Sequence, residues 1–471
     1  MKKVLKIFAV VLAIVVVCGA LITAPYGISF LSSQNDTEFK LNLDFEKGML
    51  FDGKDYKKAS VSTNDKGIIK IVPEKKSVEW FNYYGVSYKS EDYVKCTISY
   101  NAGLKEKTED FFLEPAENGE FFSFIDNCLE GTKANRINYI TLEPINNKKS
   151  KIAVDGVALF NREIPENEVF VEKDNLKVGI DLGWGGALSY VEDTNSSVEA
   201  VSVDGKIKVD SSAGKRYNAE VVNSNVNLIN RNDTGRLVQQ SYYGTLDYDF
   251  GIFMENDWRY NPVQGGNQYN DPSKIVDIRV SENSIYIKCR PLDWAKEKEY
   301  ITPSYMEATY SVEDGLVHAS CRFVDFSGYP EAESSQEIPA FYCIEPLNNF
   351  VYYKGDKPWT GGELTYEKNL IFWPDAGYPH FYSKENWAAF TGEFDDSFGI
   401  GLFVPGEEEF LTGVYMRGET TNEDPSRDGP TSYIAVTKTR TFKSFEPYEY
   451  EYYLATGDTT EIREAFSKIE K

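Results

Sequence analysis

The sequence predicts an all-β protein: a jelly-roll β-sandwich, then a larger sandwich of β-sheets, and a short C-terminal helix. Aromatic residues make up 14% of the 471 residues, with 32 Tyr and 29 Phe. Short runs of Val, Ile, Thr and Tyr recur between Gly, Asn and Asp, and no helical period interrupts them before residue 458. This pattern favours strands over helices. The length suggests two folded domains.

The first 24 residues predict a signal peptide or an N-terminal membrane anchor. Three lysines precede an uninterrupted apolar run that extends from Ile7 to Ala24. The run is long enough to span a bilayer, and both outcomes stay open. The lysines lie on the N-terminal side, so the rest of the chain is expected outside the cell, secreted or anchored to the outer face of the cytoplasmic membrane. A polar linker, residues 25–38, follows.

The formal net charge of −24 restricts the partners. A surface this negative repels polyanions, so nucleic acid and anionic lipid are not expected to bind. Membrane contact is expected only through the N-terminal segment. The charge also weighs mildly against a strongly acidic polysaccharide. The sequence makes no prediction of the oligomeric state.

The cysteines predict free buried thiols. Five follow residue 24, at positions 96, 128, 289, 321 and 343, and none belongs to a Cys-x-x-Cys or Cys/His motif. Cys96, Cys289 and Cys321 occupy apolar positions of predicted strands. We predict no metal site and no cofactor.

Residues 39–164 predict the jelly-roll sandwich. Strand-length runs such as "YVKCTISY", "FFSFID" and "INYITLEP" recur at regular spacing between turn residues. The aromatic stretch "EWFNYYGVSY" contains Trp80, Phe81, Tyr83 and Tyr84. It fits a ligand platform or a sandwich core, and the core is the favoured interpretation.

The remaining chain predicts a linker, a second β-domain and one helix. Residues 165–175 lack strand rhythm and contain Pro165, which suggests a linker. Residues 176–457 are nearly all strand, which predicts a pair of large sheets. Residues 458–471 begin with a capping-box spacing, Asp458 to Glu461, and continue with helical apolar intervals.

Two segments carry a family resemblance. "KVGIDLGWGGALSYVED" (177–193), followed by "NLINRNDTGRLVQQSYYG" (227–244), resembles the opening of a galactose-mutarotase-like supersandwich. The resemblance implies a large sheet whose concave face binds sugar, and Asn232 and Arg236 match its Asn-x-x-x-Arg spacing. Mutarotases use two histidines with a glutamate, whereas this chain has only His318, in a strand, and His380, in a loop.

The stretch from Arg231 to Gly244 carries polar side chains on both faces of a predicted strand. Sugars bind flat aromatic faces and planar hydrogen-bonding groups, and such residues cluster here and in later segments. We expect one groove lined by Asn232, Asp233, Arg236, Gln240, Tyr242, Trp258, Asn261, Gln264, Asp293, Trp294, His380, Glu385 and Trp387. The competing interpretation is an internal polar network, with Arg236 paired to Asp233 or Glu337.

Glu307 and Glu337 are the predicted catalytic pair. Glycosidic hydrolysis commonly needs two carboxylates, one acting as acid. Both glutamates lie among strand-forming apolar or aromatic residues, where burial raises a pKa. Ion pairing with Arg236, Arg290 or Arg322 is the alternative.

The sequence therefore predicts an extracellular carbohydrate-active protein whose partner is an oligo- or polysaccharide. The preferred function is a glycoside hydrolase acting on a neutral or weakly charged glycan. A non-catalytic glycan-binding protein of the cell envelope is the alternative. A polysaccharide lyase, with Tyr242 or Tyr243 as base, or a sugar epimerase comes third.

Overall fold

A computed structural model describes residues 29–30, 49–52, 59–73, 77–196, 198–248, 251–297, 300–371, 379–392 and 397–470. The predicted signal or anchor, residues 1–24, lies outside this range, as does the linker 25–38 except for residues 29–30. No helix within the described ranges is long and apolar enough to cross a membrane. The chain divides into two compact units, with the boundary between Ile164 and Pro165.

The first unit is built from strands. They are β1 (Ser29–Phe30), β2 (Met49–Asp52), β3 (Ala59–Thr63), β4 (Ile69–Pro73), β5 (Ser77–Phe81), β6 (Tyr83–Ser90), β7 (Val94–Ala102), β8 (Lys105–Leu113), β9 (Ala116–Phe124), β10 (Ala134–Pro144) and β11 (Ile152–Arg162). One sheet has the order β1-β11-β6-β9, with β2 also on β11, and the other has β3-β4-β10-β7-β8, with β5 also on β10. Strands β6 to β11 cross repeatedly between the sheets, as in a jelly roll.

Aromatic side chains fill the space between these two sheets. The ring centroid of Tyr84 in β6 lies 5.7 Å from that of Phe111 in β8, and the Phe111 ring stacks on Phe121 of β9 with a centroid distance of 5.0 Å. Phe81, Tyr83 and Tyr84 are almost fully buried. The core interpretation of "EWFNYYGVSY" is confirmed for Tyr84, whose ring packs between the sheets; Tyr83 is buried on the opposite face of its sheet, against Phe122, Phe124 and Phe160.

The second unit contains most of the strands. They are β12 (Glu168–Lys173), β13 (Leu176–Asp181), β14 (Ala187–Asp193), β15 (Glu199–Val203), β16 (Lys206–Asp210), β17 (Val221–Asn223), β18 (Val238–Ser241), β19 (Gly251–Phe253), β20 (Asn256–Trp258), β21 (Pro262–Val263), β22 (Lys274–Val280), β23 (Ser284–Arg290), β24 (Leu292–Asp293), β25 (Ser304–Glu313), β26 (Leu316–Asp325), β27 (Ala332–Ile344), β28 (Leu347–Tyr352), β29 (Thr365–Glu367), β30 (His380–Tyr382), β31 (Trp387–Gly392), β32 (Gly399–Phe403), β33 (Glu409–Tyr415), β34 (Thr431–Phe442) and β35 (Tyr448–Gly457). Two helices accompany them, α1 (Ala213–Tyr217) and α2 (Thr459–Ile469).

Two large antiparallel sheets form this unit. The ten-stranded sheet has the order β12-β13-β14-β18-β27-β34-β33-β30, with β21 joined to β18 and β24 joined to β21. The nine-stranded sheet has the order β22-β23-β25-β26-β35-β32-β31-β28-β29. Tyr242 stacks on Phe323 of β26 at 4.1 Å, so the two sheets pack face to face. The predicted large sheet pair is confirmed.

The predicted linker 165–175 is wrong for most of its length. Glu168–Lys173 forms β12, which pairs along its whole length with β13. Strand rhythm is weak in this segment because β12 is an edge strand, and Val171 is the only residue of the strand that is fully buried. The chain therefore enters the ten-stranded sheet almost directly after residue 165.

Helix α2 confirms the predicted C-terminal helix. The Asp458 carboxylate caps the backbone N–H groups of Thr460 and Glu461, and the Glu461 side chain accepts a hydrogen bond from the Asp458 N–H. Ile462 and Phe466 are buried against Trp387 and Phe403 of the nine-stranded sheet. The capping box sets the start of the helix and the apolar face docks it.

The five described cysteines have free thiols and are all buried, as expected. Burial raises their pKa where a shift is resolved; for Cys321 it reaches about 12. These thiols act as small apolar core residues.

Candidate functional site

An open cavity of about 680 Å³ lies on the face of the ten-stranded sheet that points away from the nine-stranded sheet. We call it the β18 cavity. Strands β18, β27, β33 and β34 form its floor, and the β19–β20 hairpin with neighbouring loops forms its rim. The lining consists of Asp233, Thr234, Gly235, Arg236, Gln239, Ser241, Tyr243, Phe253, Met254, Trp258, Arg259, Asn261, Val263, Gln268, Asn270, Trp294, Ser334, Ser335, Glu337, Ala340, Tyr342, Leu411, Tyr415, Tyr433 and Thr437.

Alternation along β18 decides which of its polar residues reach the cavity. Gln239, Ser241 and Tyr243 line it, whereas Gln240 and Tyr242 point between the two sheets. Leu237 has a φ of +76°, a left-handed conformation that interrupts the strand rhythm before Val238. Arg236 therefore reaches the cavity although strict alternation would place it on the same face as Val238.

A β-bulge in β27 brings Glu337 into the cavity. The strand pairs Glu337 with Thr437 and Ala340 with Ala435, so β27 contains one extra residue between these pairs. Without the bulge, Glu337 and Ala340 would lie on opposite faces. With it, Glu337, Ala340 and Tyr342 all line the cavity, and bulges commonly redirect side chains in this way.

Glu337 is a carboxyl group without a described cationic partner. The Tyr433 hydroxyl donates a hydrogen bond to its Oε1 at 2.6 Å, and the Tyr243 hydroxyl also bonds to it. Burial raises the pKa of Glu337 above its usual range, although these two hydrogen bonds oppose the rise. Burial and the Glu337 charge raise the pKa of Tyr433 and Tyr243, so both stay protonated donors at neutral pH.

Aromatic rings form the wall of the cavity beside the hairpin. Phe253 makes edge contacts with Trp258 at 5.1 Å and with Trp294 at 5.8 Å, and Trp258 meets Tyr243 at 6.4 Å. The Trp258 indole N–H donates to Asn261 Oδ1 at 3.0 Å, which fixes the ring. Locked aromatic faces of this kind suit the C–H faces of sugar rings.

Asp293 supports this wall from below without lining the cavity. Its carboxylate accepts hydrogen bonds from the backbone N–H groups of Asn261, at 3.0 Å, and Ala295, at 3.1 Å. The Asn261 backbone carbonyl in turn accepts from the Trp294 N–H at 2.8 Å. Complete burial raises the pKa of Asp293 to about 6. Asp293 therefore holds the loop backbone at Asn261 and Ala295 in place. The expected direct contact between Asp293 and substrate is wrong, because Asp293 does not line the cavity.

Arg236 lies at the other end of the cavity. Its guanidinium is 5.3 Å from the Tyr342 ring centroid and 5.6 Å from that of Tyr415. Its Nε lies 3.9 Å from Asp233 Oδ2, beyond hydrogen-bonding distance, and this buried atom has no hydrogen-bond acceptor among the described residues. Asp233 instead accepts a hydrogen bond from the Gly235 N–H at 2.9 Å.

The structure brings six of the predicted site residues into one lining: Asp233, Arg236, Trp258, Asn261, Trp294 and Glu337. Three others, Gln240, Tyr242 and Gln264, are fully buried between the sheets. Gln240 donates to the Glu307 carbonyl at 2.9 Å, and Gln264 donates to the Tyr310 hydroxyl at 3.2 Å. For these three the internal interpretation is correct: Gln240 and Gln264 hydrogen-bond across the two sheets, and the Tyr242 hydroxyl donates to Gln240 while its ring stacks on Phe323.

Glu307 does not share a cavity with Glu337. It belongs to the nine-stranded sheet, where its carboxylate lies 3.2 Å from Lys288 Nζ and 3.4 Å from Arg322 Nη1. Burial opposes its ionisation, but Lys288, the Tyr286 hydroxyl and Arg322 together hold its pKa below the usual range. The ion-pair alternative describes Glu307, and the expected pairing of the two glutamates is corrected.

Four further predicted residues also lie outside the cavity lining. Asn232 is exposed beside Asp233, and exposed His380 pairs with Glu409 at 2.8 Å on the edge strand β30. Glu385 is fully buried and binds Arg463 of α2, and Trp387 donates its indole N–H to Glu385. Glu385 and Trp387 therefore hold the C-terminal helix in place.

Several lining residues were missed by the sequence reasoning. Tyr433, Tyr415, Arg259 and Phe253 lie on three separate segments that only the sheet order brings together. In "YIAVTKT", the lining residues Tyr433 and Thr437 share one face of the strand and apolar Ile434 and Val436 the other, and polar side chains on one face could have indicated a cavity floor.

Metal-binding clusters of His, Cys, Asp or Glu are absent from the part of the chain that the structure describes.

Comparison with known proteins gives structural similarities only. No protein-family model and no curated protein sequence matches this chain. A putative aldose 1-epimerase from Escherichia coli K12 aligns with 62% of this chain and 99% of its own, at 8% identity and a TM-score of 0.35. A galactose mutarotase related enzyme from Lactobacillus acidophilus aligns with 63% and 99%, at 11% identity and a TM-score of 0.35.

An α-mannosidase from Enterococcus faecalis V583 aligns over more of this chain, 90%, but only 44% of its own length, at 11% identity and a TM-score of 0.34. No functional property follows from these similarities, and the residues of the β18 cavity carry the functional inference.

Proposed function

We propose that this protein binds a glycan in the β18 cavity and hydrolyses it, with Glu337 as the general acid. The observation that carries the proposal is the Glu337 carboxyl, which lies in an open, aromatic-walled cavity, has a raised pKa and has no cationic partner among the described residues. A general acid must carry its proton when it meets the substrate, and burial shifts the pKa of Glu337 in that direction.

The surrounding residues have distinct roles in this proposal. Trp258 and Trp294 offer ring faces to the sugar, Asn261 fixes Trp258, and Arg236 donates to hydroxyl groups. Tyr243 and Tyr433 orient the Glu337 carboxyl, so its proton points to one leaving-group oxygen. Asp233 is the other carboxylate of the lining and the candidate base or nucleophile.

A non-catalytic glycan-binding protein is the second candidate. It is favoured by the contacts of Asp233, whose carboxylate is engaged by the Gly235 N–H and lies near Arg236. The Gly235 hydrogen bond and the nearby Arg236 occupy the Asp233 carboxylate and reduce its freedom to act as a base. The same aromatic wall would serve binding alone.

One experiment separates the two. The full chain is incubated with a panel of plant, fungal and bacterial glycans, and binding and new reducing ends are measured together. We expect Glu337→Gln to keep binding while release falls at least about 100-fold, the usual contribution of a general acid. Glu307→Gln, a matched change on the other sheet, should leave release near the wild-type rate.

Two outcomes would contradict hydrolysis. Binding without release by the wild-type protein would leave the glycan-binding function alone. Anomer interconversion of free sugar without release would replace hydrolysis by epimerisation.

We also propose that the protein acts outside the cytoplasmic membrane. The apolar run from Ile7 to Ala24 behind three lysines supports this location. In intact cells, an added protease should degrade an anchored form, or the culture medium should contain a secreted form. Recovery of intact protein only after lysis would contradict the proposal.

A further inference from the structure

The β18 cavity contains positive charge that the binding of a neutral glycan would not require. Four charged side chains line it: Asp233, Arg236, Arg259 and Glu337. Neither guanidinium makes a close ion pair within the described part of the chain. Arg236 Nε is 3.9 Å from Asp233, and no carboxylate of the residues that the structure describes forms an ion pair with Arg259.

Arg259 is the clearer case. Its Nη1 donates to Ser334 Oγ at 2.7 Å, which places the guanidinium on the cavity side of β27. Among the described residues this is the one hydrogen bond that its side chain donates, so most of its five N–H donors are available to a ligand. A fork of such donors matches a carboxylate or sulfate better than it matches a single hydroxyl group.

The two acidic side chains compensate only part of this positive charge. The Glu337 carboxyl bonds to tyrosine hydroxyls, and burial favours its neutral form. Asp233 lies 3.9 Å from the Arg236 guanidinium, so among the described residues the Arg259 guanidinium is left without a carboxylate partner, in a chain whose net charge is −24.

The position of the two arginines along β27 suggests an extended ligand. Arg259 contacts Ser334, and Arg236 lies over Tyr342, eight residues further along the strand. At about 3.3 Å per residue these ends are roughly 25 Å apart, with Glu337 between them. An oligosaccharide lying along β27 would reach Arg259 and Glu337 together.

We propose that the β18 cavity selects an acidic glycan, and that Arg259 binds a carboxylate or sulfate group on a sugar unit next to the one at Glu337. The inference rests on the proposed glycan-binding function. It revises the expectation of a neutral substrate, which was drawn from net charge. Surface charges more than about 8 Å from the ligand are largely screened at physiological salt, so the local guanidinium dominates.

The test uses two matched series of tetrasaccharides and titrates them into the full chain. The galactose series comprises galactotetraose, tetragalacturonate and a sulfated galactan tetrasaccharide; the glucose series comprises cellotetraose, a glucuronate tetramer and a sulfated glucan tetrasaccharide. We expect an acidic member to bind at least tenfold more tightly than its neutral counterpart, with an affinity that falls as salt rises. The carboxylate and sulfate arms distinguish the two anionic groups.

Variants locate the effect. Arg259→Gln should weaken acidic binding about 10- to 100-fold, the usual value of a charged hydrogen bond, and change neutral binding little. Arg259→Lys keeps the charge and should retain part of the preference. Arg427→Gln is the control, since Arg427 is exposed and lies outside the lining.

Each contrary result has a separate meaning. Neutral members binding as well as acidic ones, in wild type and in Arg259→Gln alike, would overturn this inference and leave glycan binding intact. No binding by either series would overturn the inference together with the proposed function.

Discussion

Replacement of Arg463 tests whether Glu385 and Trp387 hold the fold or contact a ligand. The Arg463 guanidinium binds both Glu385 oxygens, at 2.6 Å and 2.9 Å, and donates to the Gly362 carbonyl at 2.6 Å. Glu385 is fully buried, and its other contacts are the Trp359 backbone N–H and the Trp387 indole N–H. Arg463→Met therefore leaves a buried carboxylate with two donors and no cation.

Loss of one partner of a buried ion pair costs about 3–5 kcal/mol. The second unit has roughly 300 residues, which corresponds to an unfolding entropy near 0.6 kcal/mol per degree, so the melting temperature should fall by about 5–8 °C. Differential scanning calorimetry measures the shift, and the exposed Lys468→Ala in the same helix should change it by less than about 1 °C. Glycan binding by Arg463→Met should remain intact at temperatures where the variant is folded.

A melting temperature of Arg463→Met equal to that of wild type would contradict the structural role of this ion pair. The structural role is also contradicted if Glu385→Gln or Trp387→Phe abolishes glycan binding in a protein of unchanged stability, because the sequence-based site assignment would then be right.

Two further predictions concern the cavity framework. The fold raises the Asp293 pKa from 3.8 to about 6, so its stabilising contribution is greatest below pH 4 and is lost as the pH rises through 6; the stability of wild type relative to Asp293→Asn should fall by about 2 kcal/mol between pH 4 and pH 7 in denaturant titrations. A constant difference would contradict this. Tyr242→Ala should cost about 3–5 kcal/mol, because the ring stacks on Phe323. Tyr243→Ala should instead reduce glycan affinity, and reversed effects of these two variants would contradict the assigned strand faces.

The fold could be predicted from the sequence to the level of its sheets and terminal helix. The capping box at Asp458 and the strand rhythm are local signals, and local signals survive without tertiary information. The edge strand β12 was missed because only one of its residues is fully buried, so its alternation is weak.

The site could be predicted only in part. Asp233, Arg236, Trp258, Asn261 and Trp294 lie near one another in sequence, and the local density of sugar-binding residue types pointed to them. The assignment of Gln240 and Tyr242 failed because Leu237 has a positive φ that shifts which residues of β18 face the cavity. A pattern of letters does not reveal such a residue when it is not Gly or Asn.

The different environments of Glu337 and Glu307 also could not be predicted from the sequence. Both sit in strands with similar neighbours, yet one lies at a bulge facing an open cavity and the other pairs with Lys288 and Arg322 on the opposite sheet. The order of the strands in the sheets determines which glutamate faces the cavity, and this order depends on contacts between residues far apart in the chain.

A crystal structure of the full chain with the tightest-binding tetrasaccharide tests the central claim most directly. We expect sugar density against Trp258 and Trp294, with a glycosidic oxygen within hydrogen-bonding distance of the Glu337 carboxyl. Sugar density at Glu307, on the outer face of the nine-stranded sheet, or in the first unit, with an empty β18 cavity, would contradict it.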